Sequence, residues 1–356
     1  MASIALGSLG LHKISVPASW TAHAGPILIA ATLAIGFTHD SFLSWQFKAW
    51  LGLLVASAFY VWWNHRELDR REKWALGILL GSMLLSIPGS VLWGDWQVTL
   101  MVVGWTALPA FLFAIKAPGR VLVWLTPFLV GHALVLAAQG LAGGELRATG
   151  LTINPNPATA LLLVGIILAI CWQHRHWWVL ALPFAAALPY TGSRWALVTL
   201  ALILAGMVLS RYRWRAVIVG ALVLGSLALA WGLNSDLVER NYRLRGRVET
   251  HTYDAAHRIN HGITWGWQDL VGRGYVVPRT GGLHNVPLRL MAQFGVLAAL
   301  AWLFLVGLRL WEWRRGGLAF WLVLAVLTLS MMDYYWLMGQ LGPMGWLLLG
   351  WRRLQL

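Results

Sequence analysis

Successive apolar runs of about 17 to 22 residues limit this chain's possible folds more than any other feature, because a helix needs roughly 20 such residues to cross a bilayer's hydrocarbon layer. They fall near residues 20–37, 44–63, 74–92, 98–115, 121–140, 158–173, 177–190, 195–210, 216–233, 286–308, 318–335 and 338–350. The short alternating segments of a membrane β-barrel are missing. The expected fold class is an all-α polytopic membrane protein with about 12 transmembrane helices and one long loop outside the cytoplasm between spans nine and ten. Residues 1–356 are expected to form a single integral membrane domain, with the loop at 234–285 inside it.

Charge gives the orientation. The net charge is +14, with 59% hydrophobic and 11% charged residues. In a soluble protein such an excess would suggest nucleic acid, but here many cations sit in short loops between spans. The expected partners therefore include membrane lipids and no nucleic acid. The basic loops 65–73, 116–120, 173–176, 211–215, 309–315 and 351–353 are each separated by two spans. They share one side only if both termini are cytoplasmic. Met1 to Trp20 lacks the pattern of a cleaved signal peptide, so none is expected. The 25 tryptophans gather near span ends, where amphipathic rings prefer the membrane interface. The single cysteine, Cys171, excludes an internal disulfide and reads as a small apolar residue.

One long polar interval interrupts the pattern, from Trp231 to Gly295, with arginines at 240, 243, 245, 247, 258, 273, 279 and 289 and no lysine. A guanidinium stays charged and pairs bidentately with phosphate, so a phosphate-bearing ligand is one explanation. A solvated loop of paired charges is the other, since Asp236, Glu239, Glu249, Asp254 and Asp269 are interspersed.

Three helix starts on the presumed outer side resemble one another physically. Asn154-Pro155-Asn156-Pro157 precedes the sixth span, with Asn156 as the expected cap and Pro157 in the first helical position. Thr191-Gly192-Ser193-Arg194 precedes the eighth, with Ser193 as cap and Arg194 in the first turn. His284-Asn285-Val286-Pro287 opens the tenth, with Asn285 as cap. Each start presents free N–H groups and a positive dipole end, and such ends bind anions. If they converge and Arg194 and Arg258 join them, they form a seat for a phosphate group. A helix start also disfavours imidazolium, which suits His284 to act as a general base. His132 reads as a hydrogen-bonded interior residue, and Asp333 as an intramembrane ionisable group left outside the site. Metal-ligand spacings are missing, so neither a metal nor another cofactor is expected.

In order along the chain, these residues resemble the bacterial O-antigen ligase and O-antigen polymerase-like membrane glycosyltransferases. The matches are Arg147-x-x-Gly150 with Asn154-Pro155-Asn156; Thr191-Gly192-Ser193-Arg194; Arg258 with Trp265 and Gly272-Arg273-Gly274; and His284-Asn285-x-x-Leu288 followed by Gly295. They cover about residues 147–300, and Gln293 stands where the family commonly has glutamate. The resemblance implies transfer of a glycan from an undecaprenyl-diphosphate-linked donor to an acceptor hydroxyl, on lipid A core or a growing glycan, as in lipopolysaccharide biosynthesis. It implies a site on the periplasmic side of the bacterial inner membrane, with His284, Arg258 and Arg194 as catalytic residues. Arg147, Asn156, Ser193, Asn285, Arg273 and Arg289 would bind the substrate. A twelve-span secondary transporter, or a flippase for the same lipid-linked glycan, is the alternative. It should carry polar groups deep within the spans, where this chain has few beyond Asp333 and His132.

Overall fold

A computed structural model describes residues 18–38, 45–93, 96–142, 147–152, 154–171, 177–233, 235, 285–314, 316–331 and 341–352. Within these residues the chain is all-helical, with 13 α-helices and no strands. They are α1 (Ala18–Thr38), α2 (Trp45–Asn64), α3 (Arg70–Trp93), α4 (Trp96–Ala110), α5 (Pro118–Leu141), α6 (Pro155–Cys171), α7 (Trp177–Ala187), α8 (Arg194–Val208), α9 (Arg213–Leu233), α10 (Val286–Phe294), α11 (Val296–Glu312), α12 (Leu318–Ser330) and α13 (Gly342–Leu349).

Two of these, α5 and α9, are long and apolar enough by length and composition to cross a membrane; several others are shorter apolar helices of 10–17 residues. The expected count of twelve spans is not supported at this level. One physical reason is that several apolar runs are cut. The run expected at 286–308 breaks at Gly295, whose φ of 90° is one that glycine adopts readily, and becomes α10 and α11. The runs at 98–115 and 177–190 end in single 3₁₀ turns, Phe111–Ala114 and Leu188–Thr191.

The centre of the bundle is α6, in which every residue from Pro157 to Cys171 is buried. A helix that is apolar all round must be surrounded, and α5, α7, α8, α9 and α12 all pack on it. The outer helices reverse the soluble pattern, because their exposed faces are apolar. Phe59, Trp62, Trp63, Leu85, Trp214 and Leu224 are each 68–75% exposed. Large exposed apolar side chains on several helices are unusual in water and fit association with a membrane.

The basic segments meet at the end of the bundle where α5 starts. Glu72, fully buried, accepts from both Nη atoms of Arg66 at 2.7 and 2.8 Å and pairs with the equally buried Arg309. Arg309 also reaches Glu312 at 2.7 Å and donates from Nε to the carbonyl of Leu349. Arg66 N–H donates to Ala114 O at 2.8 Å, and Trp313 Nε1 donates to Trp351 O at 3.0 Å. Thus 65–73, 116–120, 309–314 and 351–352 come together at this end. Near the C-terminal end of α6, Arg215 donates to Ile170 O at 2.9 Å, which ties that end to the start of α9. The α3 start is itself a capping box: Glu72 N–H donates to Asp69 Oδ1 at 2.8 Å and Asp69 N–H to Glu72 Oε2 at 2.9 Å.

Candidate functional site

The other end of α5 carries the candidate site. With 24 residues, α5 runs about 35 Å, so its two ends stand a membrane's thickness apart. His132 and Gln139 are two helical turns apart and so share one face of it. The Gln139 amide oxygen accepts from the N–H groups of Thr149 and Gly150 at 3.2 and 2.8 Å, and its Nε2 donates to Gly150 O at 3.3 Å. His132 Nδ1 accepts from Leu151 N–H at 3.0 Å, which leaves Nε2 to donate to Ala158 O at 3.2 Å. One neutral imidazole therefore joins α5 to both the 149–151 turn and the start of α6. The expectation of a hydrogen-bonded interior histidine matches this geometry. Gly150 has φ 62°, and a Cβ there would lie 2.5 Å from His132 Cε1, so the turn closes onto the ring only because that atom is missing.

Held by this clamp, Arg147 lies across two helix starts. Its Nε donates to Thr191 O at 3.2 Å and its Nη2 to Asn156 Oδ1 at 2.9 Å, while Ala148 N–H donates to Tyr190 O at 2.9 Å. The Arg147–Gly150 segment, the Asn-Pro-Asn segment and the Thr-Gly-Ser-Arg segment are thereby brought together. Arg194 is half-buried as the first residue of α8, so the first turn it was expected to occupy is confirmed.

Two capping expectations need correction. The α6 helix begins at Pro155 rather than Pro157, and Asn154 is its cap, its Oδ1 accepting from Asn156 N–H at 2.9 Å. Moving the cap two residues back frees the Asn156 side chain to accept from Arg147. Ser193 does occupy the N-cap position of α8, with φ −91° and ψ 99°, but its hydroxyl makes no capping hydrogen bond. Thr191 supplies local order instead, its hydroxyl donating to Leu188 O at 3.0 Å and accepting from Ser193 N–H at 3.4 Å.

Asn285 caps α10 as expected, its Oδ1 accepting from Leu288 N–H at 3.0 Å. Its Nδ2 also donates to Met331 O at 2.8 Å, just past the end of α12. Because α12 packs on both α6 and α8, it connects the third helix start with the helices that Arg147 joins. Arg289 is buried on α10, a helix that packs mainly on α3 and α11. Gln293, one turn along, is fully buried with neither amide atom hydrogen-bonded among the described residues. His284, Arg258, Arg273 and Asp333, with most of the 234–285 interval, lie outside the described residues.

Sequence reasoning missed Gln139 and underused His132. Their signal was available as two polar residues seven apart in an apolar run, but such residues read equally as isolated interior groups. Among the described residues, no group of three or more His, Cys, Asp or Glu side chains could hold a metal ion. No protein-family model matches the chain, and no curated protein matches it.

The chemistry open to this arrangement is anion binding. The starts of α6 and α8 are tied side by side, each with a positive dipole end, and a guanidinium lies across them.

Proposed function

We propose that this chain is a polytopic inner-membrane glycosyltransferase that moves a glycan from an undecaprenyl-diphosphate-linked donor to an acceptor hydroxyl at the periplasmic face. The observation that carries the proposal is the Arg147 bridge, which bonds both Asn156 and Thr191, the latter 44 residues from Arg147, and so unites two motif segments. A multi-pass arrangement is supported by the apolar outer rim. Cytoplasmic termini are supported by the meeting of four basic segments at one end of α5.

In the proposed reaction, Arg194 and Arg258 hold the diphosphate and stabilise the charge that grows as it leaves. His284 takes the proton of the acceptor hydroxyl. The acceptor oxygen bonds to the anomeric carbon as the bond from that carbon to the phosphate oxygen breaks, releasing undecaprenyl diphosphate. A single displacement inverts the anomeric centre. Arg147 and Asn156 act as substrate-side residues at the paired helix starts.

The test is a cell-free reaction with purified protein, lipid-linked glycan and candidate acceptors. Wild type is expected to transfer glycan, and His284→Ala and Arg258→Ala each to reduce transfer by about 10³-fold or more while still eluting as folded protein in detergent. Wild type that moves the lipid-linked glycan across vesicles without transferring it would establish the flippase alternative instead. Full activity in either variant would remove that residue from the site.

A further inference from the structure

The end of α5 remote from Arg147 contains a cavity of about 870 Å³. Among the described residues, four basic side chains line it, Arg66, Lys116, Arg120 and Arg352, with Glu67 as the one acidic group. They come from three separate segments, so the fold and not a run of sequence assembles the charge. Arg66 is anchored by Glu72, and Arg352 lies 3.5 Å from Asp69 across a half-exposed pair. Lys116 is exposed and makes no hydrogen bond or ion pair among the described residues. The remaining wall is apolar, built from Ile115, Pro118 and the ring of Trp351. Gly119 lets that ring close over the α5 start, since a Cβ there would stand 3.3 Å from it.

A cavity that is cationic on one side and apolar on the other matches an amphiphile with an anionic head. Its place beside α5, at the depth where the apolar rim gives way to basic loops, is where lipid headgroups lie. We propose that this cavity binds a phosphate-bearing headgroup, with Lys116, Arg120 and Arg352 contacting the phosphate and Trp351 covering the glycerol and upper chain. The site is independent of the transfer reaction proposed above and stands at the other end of α5.

The test uses the full chain in zwitterionic lipid nanodiscs, titrated with phosphatidylglycerol and read by native mass spectrometry for retained lipid. Lys116→Gln is expected to weaken retention about fivefold, and the triple variant Lys116→Gln/Arg120→Gln/Arg352→Gln about a hundredfold. A control triple, Arg71→Gln/Arg211→Gln/Arg213→Gln, removes the same charge from exposed positions outside the cavity and should leave retention unchanged. Equal loss in the control would reduce the effect to general surface charge and overturn the proposal. So would equal retention by wild type and Lys116→Gln, a variant with no described partner to lose. In a separate arm, glycerol phosphate that displaces the lipid from wild type at millimolar concentration would assign the affinity to the head alone. Displacement only by phosphatidylglycerol would assign it to the whole amphiphile, and both results require the cationic seat.

Discussion

At the start of α5 arginines meet carboxylates, with Arg66 and Arg309 closing on Glu72 and Arg309 also on Glu312. At its far end Arg147 meets a backbone carbonyl and a side-chain amide. Both arrangements fix a guanidinium in place, the first against carboxylates and the second through hydrogen bonds to neutral acceptors. The buried ion cluster makes a rigid joint among four segments. The bonds to Thr191 and Asn156 orient the guanidinium across two motif segments. One residue type thus builds a structural joint and a candidate binding edge, and the partner decides which.

Breaking the ionic end should cost most. Glu72→Ala leaves Arg309 buried beside a missing carboxylate and is expected to destabilise by about 3–5 kcal/mol in thermal or denaturant unfolding. The same joint should be acid-sensitive. Burial pushes the Glu72 carboxyl up, but hydrogen bonds and charge from Arg66 and Arg309 outweigh it and hold it at about 2, against an ordinary value of 4.5. A depressed carboxyl stabilises fully above its unfolded value, so this contribution should be complete above about pH 5 and fade as pH falls from 4.5 toward 2. A wild-type acid profile that matches Glu72→Ala would break the comparison.

The far end of α5 should respond strongly to shape. Gly150→Ala puts a Cβ against His132 in a left-handed turn and should lower stability by about 2 kcal/mol, read as a drop in melting temperature. Arg147→Lys keeps the charge but loses the fork that spans Thr191 and Asn156. It should leave the melting temperature nearly unchanged while lowering transfer about tenfold. A melting loss as large as that of Glu72→Ala would make Arg147 another structural joint. The smallest effect belongs to Arg352→Gln, which removes a half-exposed pair with Asp69 and should change stability by no more than about 0.5 kcal/mol.

Much of the coarse fold could be read directly, because apolar runs mark helices whatever they pack against. Where runs end was harder. Asn154 and Asn156 are both good caps, and only the packing of α6 against Arg147 and His132 decides that Asn154 takes the role. The break at Gly295 was hidden because the apolar pattern continues through it. Helix counting suffered for the same reason, since hydropathy does not record a break in the helix. The site was partly visible. Its motif segments stood out as polar helix starts before apolar runs, and those at 147–150, 154–156 and 191–194 meet. The residues that hold them, Gln139 and His132, act across the bundle, and their partners are backbone atoms without a sequence identity.

Cys171 offers a practical opening. It is the chain's only thiol and is just 8% exposed, packed at the end of the central helix. Thiols introduced one at a time into the basic segments and into the Arg147 turn can therefore be labelled against an almost silent background, without first deleting the native residue. Impermeant maleimide applied to intact cells and to inverted vesicles would then assign each end of α5 to its own compartment.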